Sequence, residues 1–178
     1  MTYDEKIERL FARFPSYQKV GGRAYKMGVD SMMAFDGLLG HPHRMYPVIH
    51  IAGTNGKGSV SSMLAAALSG SGRRVGLYTS PHLVDFRERM KIVSENGAEM
   101  IPKEAVEAFL DRYDVFMDRE SPSFFEITTA MAFDWFASEK VDLAVIETGL
   151  GGRLDSTNVV TPELSVITNI GLEHCMYL

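Results

Sequence analysis

Cysteine is almost missing from this chain. Cys175 is the one thiol in 178 residues, so a disulfide framework is excluded and a reducing compartment is the natural setting. An excess of basic charge is missing too. The 18 Lys and Arg are outnumbered by 23 Asp and Glu, for a formal net charge of −5. That excludes a broad basic surface for nucleic acid, although a local cluster of cations can still hold a small anion. No apolar run is long enough to span a bilayer, and residues 1–6 lack the apolar core of a signal peptide. Internal repeats and low-complexity tracts are also absent. These absences predict a cytoplasmic protein that engages neither membrane nor nucleic acid. What is present is ordinary for one globular domain: 46% hydrophobic and 23% charged residues.

The most informative stretch is Gly53-Thr54-Asn55-Gly56-Lys57-Gly58-Ser59. An apolar run of strand length, residues 46–52, precedes it, and residues 60–71 read as a helix that buries Val60, Met63, Leu64, Ala67 and Leu68. Strand, glycine-rich loop and helix together make a phosphate-binding loop. Glycines let successive N–H groups point at one anion, and the helix N-terminus adds partial positive charge. Lys57 brings a full charge to the outer phosphates. Ser59 offers a hydroxyl for magnesium. Gly58, inserted between lysine and serine, departs from the common form of this motif.

The rest of the chain alternates helices and strands. Residues 3–14 form an amphipathic helix with Ile7, Leu10, Phe11 and Phe14 on one face. Residues 16–29 read as a loop, and Asp30 as the cap of a short helix through Leu39. Residues 74–79 are the next strand, parallel to the first as a βαβ unit requires. Ser80 and His82 follow at its carboxyl end, where α/β sheets put ligands; the pattern alone reads as a turn. Residues 86–94 alternate charged and apolar groups, Glu95-Asn96-Gly97 is a turn, and residues 98–101 return as a hairpin.

Pro102 opens a helix carrying Val106, Phe109, Leu110, Tyr113 and Phe116 on one face, and Ser121-Pro122-Ser123 ends it. Residues 124–139 are a further helix, in which Phe124 and Phe125 read first as core. Residues 141–146 are a buried strand with Glu147 at its tip, a carboxylate placed to hold magnesium beside a nucleotide. Residues 148–158 make a second glycine-rich loop, in which Arg153 suits an anion and Asp155 an amine or a turn. Residues 164–168 are a last strand, followed by a loop that carries His174. On its own, His174 reads as an ordinary surface or core histidine. The fold class is α/β, a mostly parallel sheet with helices on both faces.

Five motifs in order, residues 49–59, 79–83, 124–133, 147–158 and 167–174, resemble the folylpolyglutamate synthase/dihydrofolate synthase family of the Mur ligase superfamily. Gly58 is what this family carries at that position; cell-wall Mur ligases usually carry threonine. The resemblance implies a P-loop NTPase-like Mur ligase central domain. It implies an ATP-dependent amide ligase that joins L-glutamate to dihydropteroate or a reduced folate through an acyl phosphate. It places the ATP phosphates on Thr54, Asn55, Gly56, Lys57, Gly58 and Ser59. It places magnesium on Ser80, Glu147 and His174, with Ser59 in reach. It lines a pterin pocket with Ser123, Phe124, Phe125 and Glu126, and with Arg153, Leu154, Asp155 and Ser156. Lys57, Glu147 and His174 are then the catalytic candidates, and the protein a monomer.

The family also uses a carbamylated lysine for a second magnesium, and a Rossmann-like C-terminal domain that helps bind ATP and glutamate. Neither is matched in these 178 residues. Residues 23–33 fit the family's Gly-Leu-x-Arg pattern poorly. Residues 1–178 are therefore expected to be an incomplete N-terminal ATP-binding ligase domain that does not turn over alone. The alternatives are a peptidoglycan-precursor ligase and a non-catalytic nucleotide-binding module. A GTPase switch lacks its Asn-Lys-x-Asp motif here.

Overall fold

The computed structural model describes residues 1–15 and 28–172. Its centre is a sheet of six strands: β1 (Val48–Ala52), β2 (Val75–Tyr78), β3 (Met90–Ser94), β4 (Gly97–Met100), β5 (Leu143–Glu147) and β6 (Leu164–Ile167). The order across the sheet is β4-β3-β2-β5-β1-β6. β2, β5, β1 and β6 run parallel, while β3 and β4 form an antiparallel hairpin on β2. The mostly parallel sheet is as expected. The two strands of the expected βαβ unit are parallel but not neighbours, because β5 lies between them. β5 is apolar on both faces and almost wholly buried, which suits the middle of a covered sheet.

Among the described residues five helices cover the sheet: α1 (Tyr3–Arg13), α2 (Asp30–Leu39), α3 (Lys57–Ser69), α4 (Lys103–Glu120) and α5 (Phe124–Ser138). Strand alternation divides the core in two. On one face Ile51, Val75, Leu77 and Val145 pack with Ala65 of α3. On the other, Val48, Tyr78, Ala144 and Ile146 meet the helices α1, α2, α4 and α5. Helices on both faces are thus observed, α1, α2, α4 and α5 on one side and α3 on the other. Gly76 in β2 lets α5 approach closely, since a Cβ there would meet the Phe136 ring at 2.9 Å. α1 is tied to α4 by Lys6–Asp111 at 2.6 Å and by Arg13 to Asp114 at 2.8 Å.

Several local readings are corrected. α3 begins at Lys57 rather than residue 60, because Gly56 is left-handed (φ 82°) and turns the chain straight into the helix. Met63 and Ala67 face solvent, not the core; the small residues Ser61 and Ala65 are fully buried against the sheet instead. Asp30 does not cap α2. Val29 holds that position without a side-chain bond, and Asp30 sits in the first turn. Residues 86–89 form a 3-10 turn capped by Asp85 before β3 begins. α5 is buried on nearly all sides, not along one stripe. The loop expected over residues 16–29 lies outside the described residues as far as residue 27.

Candidate functional site

The glycine-rich loop leaves β1 at Gly53, whose φ of +133° is open to glycine alone. Space demands glycine there as well, for a Cβ would stand 2.1 Å from Thr168 Oγ1. Gly56 then starts α3 with no side-chain cap, so the first-turn N–H groups point outward with the helix's partial positive charge. Lys57 folds back over the loop and donates from Nζ to the carbonyls of Gly53 (2.8 Å) and Thr54 (3.3 Å). Asn55 and Ser59 are exposed at the mouth of the loop.

The segment after β6 braces this loop. Thr54 N–H donates to Asn169 O (3.0 Å) and Asn55 N–H to Asn169 Oδ1 (2.9 Å). Thr168 Oγ1 donates to Asn55 O (2.7 Å), and Gly171 N–H to Thr54 Oγ1 (2.8 Å). The sequence alone does not mark Thr168 and Asn169 as site residues. Their signal was a polar pair directly after an apolar strand, and it becomes legible only once β6 pairs with β1.

Glu147 ends β5 beside the first turn of α3. Its side chain is 3% exposed. Burial pushes its carboxyl up to about 6, against the opposing pull of the Ser80 N–H and Lys57. Ser80 N–H donates to Glu147 Oε2 at 3.1 Å. That bond uses the backbone of Ser80 and leaves the hydroxyl out of it. A Cβ on Gly58 would lie 3.6 Å from the same oxygen. The structure therefore brings Lys57, Gly58, Ser80 and Glu147 to one place. Glu147, Ser80 and Ser59 are all oxygen donors, the set a hard cation such as magnesium takes. His174 lies outside the described residues.

The second glycine-rich loop is organised from inside by Asp155, which is 2% exposed. Its Oδ2 accepts from the N–H groups of Gly149 and Leu150, both at 2.9 Å. Its Oδ1 accepts from Thr157 N–H at 2.9 Å and from Thr157 Oγ1 at 2.6 Å. Burial pushes this carboxyl upward and the donors pull it back. Four donors on two oxygens suit the carboxylate, which only accepts. His50 Nε2 is 2.7 Å from Thr157 Oγ1. The threonine hydroxyl has one proton and gives it to Asp155, so His50 must donate, which fixes its Nε2–H tautomer. Burial alone pushes His50 down to about 4. Ser156 is buried, whereas Arg153 and Leu154 face solvent beside it.

At the start of α5, Ser123 and Glu126 form a capping box. Glu126 N–H donates to Ser123 Oγ (3.1 Å), and Ser123 N–H donates to Glu126 Oε2 (2.6 Å). Glu126 is 2% exposed, and its Oε1 is buried with no hydrogen-bond partner. Phe125 lies over Gly149, where a Cβ would meet its ring at 2.7 Å, so α5 and the second loop meet there. Phe124 stacks on Phe11 (5.0 Å between centroids), lies near Phe86, and has Arg89 over its ring at 5.1 Å. Arg89 is 3% exposed, and its Nε donates to His82 Nδ1 at 2.8 Å. Arg89 and His82 thus add polar groups to the aromatic cluster of Phe11, Phe86 and Phe124.

No family model matches the chain. The dihydrofolate synthase/folylpolyglutamate synthase of Bacillus subtilis is 43% identical over 155 residues, 84% of this chain and 35% of that protein. The crystal structure of folylpolyglutamate synthase from Thermotoga maritima has a TM-score of 0.80 at 43% identity, covering 94% of this chain and 38% of that one. The structure of E. coli FolC in complex with DHPP and ADP has a TM-score of 0.86 at 30% identity, covering 100% of this chain and 40% of that one. The chain spans 18% to 40% of the length of the curated relatives it matches. In sequence and in fold, it belongs to the folylpolyglutamate synthase/dihydrofolate synthase family.

Proposed function

We propose that this chain is the N-terminal, ATP-binding part of an ATP-dependent ligase that adds L-glutamate to dihydropteroate, to reduced folates or to both. The observation that carries the reading is the meeting of Lys57, Gly58 and Glu147 at the mouth of the phosphate loop. E. coli FolC, whose complex holds DHPP and ADP, shares the fold over the whole of this chain.

In this reading the pterin substrate's carboxylate attacks the terminal phosphoryl group of ATP, giving an acyl phosphate and ADP. The amine of glutamate then attacks the acyl carbon, an amide bond forms, and phosphate leaves. Such chemistry needs neutralised charge and aligned atoms more than a strong protein nucleophile. Gly56 to Ser59 bind the phosphates through backbone N–H groups, while Thr54 and Asn55, whose own N–H groups are taken by Asn169, complete the loop; Lys57 swings from the loop carbonyls to the phosphate oxygens. Glu147, Ser80, Ser59 and His174 would hold magnesium, which offsets phosphate charge when bound. Ser123 to Glu126 and Arg153 to Ser156 border the pterin side, with Phe124 or Phe125 packing on the ring. The enzyme works as a cytoplasmic monomer, and residues 1–178 by themselves bind nucleotide weakly and do not turn over.

Calorimetric titration with a non-hydrolysable ATP analogue and magnesium tests the phosphate site. The expected result is binding that disappears in Lys57→Ala while the folded signal stays. Binding that is equal in both proteins overturns the reading of the loop. Glutamate-dependent ADP release from these 178 residues alone would overturn the claim that they do not turn over.

A further inference from the structure

Away from the phosphate loop, the described residues bring three metal-ligating side chains together at the end of α2. Asp36, His41 and His43 each offer one donor atom, and all three atoms lie within 4.8 Å of one another. Local backbone geometry delivers them. α2 stops at Gly40 (φ +78°), and His41 is itself left-handed (φ +59°). The chain then makes a 3-10 turn over Pro42–Arg44. His41 N–H donates to Asp36 O at 2.9 Å, which folds the turn back onto the helix.

Both imidazoles converge on one oxygen. His41 Nδ1 is 2.6 Å and His43 Nε2 is 3.2 Å from Asp36 Oδ2. The other oxygen, Asp36 Oδ1, is buried without a hydrogen-bond partner. Asp36 is 4% exposed and His43 5%. Among the described residues no Lys or Arg pairs with this carboxylate; its ion-pair partners are the two histidines. A buried carboxylate with one oxygen unsatisfied normally carries a counter-charge or coordinates a cation. His43 is held in place by Phe133, 5.6 Å away between ring centroids. His41 is half-exposed and leaves a way in from solvent.

We propose that Asp36, His41 and His43 bind one divalent transition-metal ion of the zinc class. Two imidazole nitrogens and one carboxylate suit such an ion, whereas magnesium prefers oxygen ligands. Three protein ligands leave a position for water on the His41 side. The ion clips the end of α2 to the turn that enters β1, and β1 leads into the phosphate loop. This site is separate from the magnesium site proposed for the ligase, and does not depend on that reading.

The test uses the full chain freed of metal by a chelator. Zinc is titrated against a competing indicator dye, and cobalt is added as a spectroscopic probe. The expected result is one tight equivalent of zinc, visible d–d bands with cobalt, and no displacement by excess magnesium. His41→Ala, at a half-exposed side chain, should weaken zinc binding at least about tenfold. Asp36→Asn, which keeps the side-chain shape, should do the same. Circular dichroism checks that each variant is folded, and if Asp36→Asn does not fold, His41→Ala decides. Absence of zinc binding in the wild type overturns the proposal. So does binding that is unchanged in folded His41→Ala, which would assign the metal to other groups.

Discussion

Gly58 in the first turn of α3 stands directly against Glu147 at the end of β5: a Cβ on Gly58 would lie 3.6 Å from Glu147 Oε2 and 3.8 Å from Oε1. That is ordinary contact distance, and Gly58 has no left-handed backbone, so the fold itself does not demand glycine there. Gly58→Ala should therefore leave stability unchanged or raise it by up to about 1 kcal/mol, because alanine favours a helix. The added methyl intrudes between the carboxylate and the helix N-terminus, so affinity for a magnesium–ATP analogue should fall. Thermal melts and calorimetry on the same samples separate the two effects. A variant that melts lower without losing affinity would contradict this account.

Gly149 is glycine for space. A Cβ there would stand 2.7, 2.9 and 3.0 Å from three atoms of the Phe125 ring, and that ring is itself packed on Tyr78 at 5.8 Å. Gly149→Ala should cost about 1–3 kcal/mol by overpacking. Adding Phe125→Leu should recover part of the loss, a coupling read from urea midpoints of the two single variants and the double variant.

Asp155→Asn tests the frame of the second loop. An amide keeps one acceptor oxygen and turns its NH2 toward donors that the carboxylate now accepts. Leaving buried N–H and O–H groups unpaired should lower stability by about 2–4 kcal/mol. Chemical denaturation measures this directly, and a loss of a few tenths would refute the assigned role.

His50 predicts a dependence on pH. Burial lowers its folded pKa from 6.5 to about 4, so between those values the unfolded chain binds the extra proton. Stability contributed by neutral His50 is fully present above pH 6.5 and is lost as pH falls toward 4. The full loss is of order 3 kcal/mol from this shift. His50→Gln, whose amide can still donate to Thr157, should flatten that part of the stability profile. A profile with unchanged slope would show that another group carries it.

Much of the site was legible because its parts are local. The turn from β1 through Gly53 and Gly56 into α3, and Glu147 at the tip of an apolar strand, are read from adjacent residues whose spacing dictates their geometry. The family resemblance makes Ser123 and Glu126 pocket residues. Their capping box shows that they also start α5, and the S-x-x-E spacing would have signalled it. Val60, Leu64 and Leu68 pack against the core as the pattern predicts, but the buried face of α3 is centred on the small residues Ser61, Ala65 and Ser69, which fit close to the sheet, so that Met63 and Ala67 fall outside it.

By itself the sequence determined the alternation of strands and helices, the two glycine-rich loops and an acid, Glu147, at the tip of an apolar strand. These follow from backbone freedom at glycine and from apolar periodicity, both short-range properties. The tertiary structure decided that β5 lies between β1 and β2, which brings Glu147 to Gly58 and Ser80. It decided that Asn169 braces Asn55 across 114 residues of chain, and that His50, Thr157 and Asp155 form one buried chain of hydrogen bonds. Such partners are chosen by the need of each buried polar group for a donor or acceptor after the sheet has closed, and no local pattern specifies which distant residue will answer it.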